Sequence, residues 1–145
     1  MIAVTSEHVS ALLEAFSPPE FYVSRAAIDE ALHTNGMFNV LSTAEGDKVD
    51  FWILTSDPFD RSRFGRRYAE EIFGMSLKVS RPEDTILMKL RWSALSGGSE
   101  KHFQDALHVY EVQAEGLDLE YIERWVHQLG MTEEWRSLQD RAELP

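Results

Sequence analysis

Apolar positions recur along the chain at two spacings, and the switches between them outline the fold. Residues 1–4 form a short β-leaning stub. Behind Ser6, a helix-capping residue type, Val9, Leu12, Leu13 and Phe16 fall at helical spacing. The run Ser17-Pro18-Pro19-Glu20 stops that helix. Residues 21–23 suit a short strand. Ser24 then caps a second short helix with Ile28, Ala31 and Leu32 on one face, and Asn35-Gly36 ends it. Period two takes over next. Residues 37–43 and 48–55 read as antiparallel strands joined by the turn Glu45-Gly46-Asp47. In the second strand Val49, Phe51 and Ile53 point one way, and Lys48, Asp50, Trp52 and Leu54 the other.

Residues 57–79 admit two readings. One is a helical turn near residues 58–65, followed by a hairpin of residues 68–73 and 76–79 about Gly74-Met75. The other is a continuous helix over residues 59–73. From Ser80 the pattern is helical to the end. Ser80 with Pro82, Glu83 and Asp84 is a helix start, and Ile86, Leu87, Leu90 and Ala94 form one stripe, widened by Met88, Trp92 and Leu95. The run Ser96-Gly97-Gly98-Ser99 breaks that helix, and Ser99 caps the next, with Phe103, Ala106, Leu107 and Tyr110 inward. Asp118 caps a helix with Leu119, Ile122, Val126 and Leu129 inward. Gly130 ends it, and Thr132 caps a last helix carrying Trp135 and Leu138. Strands first and helices last predict an α+β (α/β-like) fold, a small mixed sheet flanked by helices with a helical C-terminal subdomain. The expected division is residues 1–79 and 80–145.

Composition narrows the function. The 145 residues suit one domain, or one with a small appendage. The formal net charge of −11 argues against a general DNA-binding face, because phosphate repels an acidic surface. There is no cysteine, so disulfides and thiolate metal sites are absent. No 18-residue apolar run offers a membrane-spanning helix, and the first residues lack a signal-peptide pattern. The expectation is a cytoplasmic protein.

Asp50 is the residue that needs explaining. It shares a strand face with Trp52 and Leu54, where an unpaired buried carboxylate would cost several kcal/mol, roughly. Either it faces water beside Lys48 or an arginine, or a cation waits for it. Arg61, Arg63, Arg66 and Arg67 concentrate positive charge in an acidic chain. They suit phosphate or RNA contact, or ion pairs with the many glutamates. His102, Asp105 and His108 have spacings only loosely compatible with a metal cluster, and His8, His33 and His127 read as surface residues.

The ordered series of the Lys48–Leu54 strand, the basic stretch, "SRPEDTILMKL" and "FQDALHVYEVQ…LDLEYIERWVHQLG" resembles bacterial nucleotidyltransferase-like proteins, related to minimal nucleotidyltransferases and abortive-infection transferases. The resemblance implies a palm-like sheet, an ATP-like nucleotide, and Mg²⁺ or Mn²⁺ bridging its phosphates and activating an acceptor hydroxyl. It places Asp50 at the third metal-holding carboxylate, which is its catalytic role. It places Lys89, Arg66 and Arg67 toward the phosphates, with Asp105 orienting Lys89 or an arginine. The Gly-Ser turn followed by Asp-x-Asp is missing. Asp57 and Asp60 are wrongly spaced for it, and Asp118 is better explained as a helix cap. The resemblance implies that residues 1–4 are the tail of the Asp-x-Asp strand and that Met1 is an internal methionine. Two of three carboxylates are then absent, so the chain as it stands is expected to be inactive, either as a truncated form or as a degenerate member. An open sheet edge would favour a homodimer. The second expectation is a non-catalytic module, such as the antitoxin or partner component of a two-gene system. The acceptor is not specified by either.

Overall fold

Alternation in residues 37–52 and helical spacing on either side of it build the first part of a computed structural model that describes residues 1–144. The chain is α+β and divides into two compact units, Met1–Phe64 and the residues from Gly65 on.

In the first unit a 3-10 turn, Ser6–His8, leads into α1 (Val9–Ala15), β1 (Phe21–Tyr22), α2 (Arg25–Thr34), β2 (Met37–Ser42), β3 (Lys48–Trp52) and α3 (Pro58–Gly65). The sheet order is β1-β2-β3, antiparallel throughout, with Phe38 opposite Phe51 and Asn39 opposite Asp50. The expected strand pair is therefore present, with β3 ending at Trp52. Its core face carries Phe38, Val40 and Ile53, which pack with Val9, Ile28 and Ala31. Phe38 and Phe51 stack with ring centroids 5.2 Å apart, an offset arrangement that adds to their area burial. Val49 departs from the expected pattern. It points to the core side but is largely exposed at the end of the strand. The first cap is Thr5 and not Ser6, because the Thr5 N–H donates to His8 Nδ1 at 3.1 Å and the helix starts one residue earlier. Ser24 caps α2 as expected, accepting from the Ala27 N–H, and Asn35 closes it in the left-handed region.

The first residues of the chain pair with the free edge of β3. Ile2 makes a parallel bridge to Ile53, its N–H donating to Trp52 O at 2.8 Å and its carbonyl accepting from Leu54 N–H at 2.9 Å. The bridge lies on the edge of β3 that does not face β2, since Ile53 N–H bonds to Gly36 O on the other side.

The second unit holds β4 (Tyr68–Ile72), β5 (Met75–Val79), α4 (Pro82–Leu95), α5 (Glu100–Gln113), α6 (Leu119–Leu129) and α7 (Thr132–Arg141). The hairpin reading of this region holds, and the continuous helix over residues 59–73 does not. The turn, however, is Phe73-Gly74, one residue earlier than expected. Both residues have positive φ, 51° and 75°, as a two-residue hairpin turn requires. The hairpin clusters with the helices, so the units divide at Phe64 and not at residue 79. Arg81 Nε donates to Arg66 O at the hairpin base, and Arg66 in turn binds Glu83 and Asp84 on α4.

Ile86, Leu87, Met88 and Leu90 on α4, Phe103, Ala106, Leu107 and Tyr110 on α5, Ile122 and Val126 on α6, and Trp135 and Leu138 on α7 are buried. Several boundary residues differ from expectation. α4 starts after Arg81 and not Ser80, with Pro82 in the first turn. Ala94 and Leu95 are exposed where the stripe predicted burial, and Ser93 is buried in their place, its hydroxyl donating to Ser99 O. Leu119 is exposed and Tyr121 buried, because Asp118 caps α6 three residues before the inward face begins. α7 is preceded by Met131, so Thr132 is its first residue and not its cap.

Candidate functional site

β3 presents Asp50 on the sheet face opposite the core. Its Oδ1 accepts from Asn39 Nδ2 at 2.5 Å and lies 3.3 Å from Lys48 Nζ, with both charged side chains about half exposed. The cross-strand neighbour Asn39 is there because β2 and β3 pair residue for residue. The burial problem posed by the sequence therefore dissolves: Asp50 faces water and has local donors.

Lys89 and Asp105 are brought together. α4 and α5 pack so that Lys89 Nζ donates to Asp105 Oδ2 at 2.6 Å. Lys89 Nζ also lies 5.8 Å from the Trp92 ring centroid, and Trp92 is 5.5 Å from His102. The hydrogen bond from Lys89, more than the opposing desolvation, holds the Asp105 carboxyl below its ordinary value. Its contribution to stability is thus present above the ordinary carboxylate range and is lost as pH falls through the lower folded value. An NMR titration of Asp105 is expected to give a midpoint below 3.8, rising toward that value in Lys89→Met. A midpoint that does not move in the variant would show that the pair does not form in solution.

Arg66 has a different setting. Its Nη2 donates to Glu83 Oε2 at 3.1 Å and its Nε to Asp84 Oδ2 at 3.2 Å. Its guanidinium carbon lies 3.6 Å from the Tyr121 ring centroid. Tyr121 Oη donates to Asp84 Oδ1 at 2.6 Å, and Glu83 Oε1 accepts the Asp118 N–H at 3.1 Å. Burial works against the guanidinium charge, but Asp84 outweighs it by field and hydrogen bond, with Tyr121 and Glu83 adding, and the Arg66 pKa is raised. This network ties the hairpin base to α4 and α6. Sequence reasoning assigned Glu83 and Asp84 to a helix start and missed it. The signal was there: Glu83 lies four and seven residues before Leu87 and Leu90, on the core face of α4. Arg67 is half-buried. In the first unit Arg63 pairs with the buried Asp60, which also accepts from Thr55, while Asp57 caps α3 through Phe59 and Asp60 N–H.

The residues present do not by themselves fit Mg²⁺ or Mn²⁺. Asp50 is a single carboxylate with an oxygen already engaged and an ammonium beside it, whereas these ions take about six oxygen ligands. Among the described residues no three His, Asp or Glu side chains gather as a cation site, and His102, Asp105 and His108 do not form one. No helix among the described residues is long and apolar enough to cross a membrane. No family model, curated protein or solved structure matches the chain.

Proposed function

We propose that the chain is a nucleotidyltransferase-like protein that does not complete a transfer centre on its own: in the first unit Asp50 contributes one metal-holding carboxylate, and in the second unit, taken by itself, Lys89 held by Asp105 is suited to contact phosphate. The observation that supports this most is the Ile2–Ile53 bridge. It is parallel, so chain running N-terminally from Ile2 heads toward the level of Asp50 along the open edge of β3. Acidic residues on such a strand would lie beside Asp50, and their charge together with a cation would supply what Asp50 lacks here.

Two measurements test the reading. Incubated with radioactive nucleotide and Mg²⁺ or Mn²⁺, the 145-residue chain is expected to label no target. Labelling that Asp50→Asn abolishes would contradict this. The gene then separates this reading from a second one. In-frame codons upstream of Met1 for Gly-Gly or Gly-Ser followed by Asp-x-Asp support the transferase reading. A stop codon there supports a non-catalytic module for protein contact, which the exposed apolar hairpin of the second unit favours.

A further inference from the structure

Among the described residues the β4–β5 hairpin stands as a two-stranded sheet, and an isolated pair of strands is marginal in water. Its register places Tyr68, Glu70, Ile72, Met75, Leu77 and Val79 on one face. That face is apolar apart from Glu70, yet Met75 and Leu77 are 56% and 41% exposed, and Phe73 at the tip is 96% exposed. Apolar side chains on an open strand edge are a template for pairing with another chain.

We propose that the outer edge of β5 is a self-association surface, where a second copy of this chain adds its own β5 antiparallel about a two-fold axis at Leu77. The charge pattern selects this edge. In that register Met75 lies opposite the second copy's Val79, Leu77 opposite its Leu77, and Ser76 opposite its Lys78. No like charges face each other, and the apolar face becomes continuous across four strands. The β4 edge behaves oppositely. With Glu70 and Glu71 adjacent at its centre, an axis on either residue or between them sets carboxylate against carboxylate, which destabilises the pair. Joining β4 of one copy to β5 of the next would suit Lys78, but it is a head-to-tail contact that need not close. The β5 register also carries each Phe73 to the level of the other copy's Arg81, whose guanidinium already lies 5.4 Å from the Tyr68 ring. A cation beside two aromatic rings is a favourable setting for an exposed phenylalanine. The inference does not depend on the transferase reading, since it involves only the second unit.

Sedimentation equilibrium of the whole chain at about 0.15 M salt, where long-range repulsion between acidic copies is largely screened, tests this. The expected result is a closed dimer. Leu77→Lys, which opposes two ammonium groups on the axis, is expected to weaken it at least about tenfold, or 1.4 kcal/mol, and Glu71→Lys to leave it intact. Because the chain has no cysteine, Leu77→Cys provides a second readout that does not need a destabilising charge. Mild oxidation should link two copies through Cys at 77, as opposed strand positions lie within disulfide reach, and Glu71→Cys should not link them. A monomer at all concentrations, an open-ended polymer, a dimer indifferent to Leu77→Lys, or equal cross-linking of the two cysteine variants would each overturn the proposal.

Discussion

Replacing Arg66 with methionine is expected to destabilise the second unit by about 3–5 kcal/mol, the cost of leaving buried charge without its partner. The Asp84 side chain is fully buried and that of Glu83 nearly so, and both bind this one guanidinium. Methionine matches much of the side-chain length and can keep contact with Tyr121, so the loss is chiefly electrostatic. Tyr121 Oη and the Asp118 N–H would still donate to the two carboxylates, which is why the cost is not larger. Arg141→Met supplies the contrast. Its pair with Glu100 is 2.7 Å long but solvent-exposed on both sides, and its removal should cost far less than that of Arg66. Urea unfolding, followed by the fluorescence of Trp92, Trp125 and Trp135, compares the two. Equal costs for Arg66→Met and Arg141→Met would show that the buried network does not organise this unit.

Why some of this was legible in the sequence and some was not follows from the range of the interactions. Ser24, Asn35 and Asp118 act on their own helix ends, and their roles were readable from a few neighbouring residues. The β2–β3 pairing was equally local, because a short turn fixes register. Arg66 is different. Its partners lie 17, 18 and 55 positions along the chain, and nothing in "RSRFGRR" distinguishes the arginine that turns inward. The hairpin turn was missed by one residue because a phenylalanine at positive φ is uncommon, so glycine and its follower were the natural choice. Burial at the ends of α4 and α6 misled for a similar reason. Helical spacing includes Ala94, Leu95 and Leu119, but packing ends before Ala94 on α4 and begins only after Leu119 on α6.

For the candidate site, the sequence located Asp50 correctly on a strand face and raised the pairing of Lys89 with Asp105 through the resemblance. It did not foresee Asn39, since a cross-strand partner depends on register and not on spacing. The same Asn39 and Lys48 contacts give Asp50 local partners on its strand face. They also make Asp50→Asn a clean probe: an exposed pair of this kind contributes at most about 1 kcal/mol, so a larger effect of the substitution on metal response reports binding and not folding.

Thermal unfolding with and without Mn²⁺, of the 145-residue chain and of the longer protein that an open reading frame upstream of Met1 would encode, tests the transferase reading most directly, and a stop codon there contradicts it. Carboxylates brought beside Asp50 repel one another and destabilise the empty site, and a divalent cation relieves that repulsion. At a hundredfold excess over the dissociation constant, mass action predicts a stabilisation of about 2.7 kcal/mol. The 145-residue chain should show little of that shift, and Asp50→Asn in the longer protein should lose most of it. A full Mn²⁺ shift in the Asp50→Asn variant would contradict the account and leave Asp50 as a strand carboxylate held by Asn39 and Lys48.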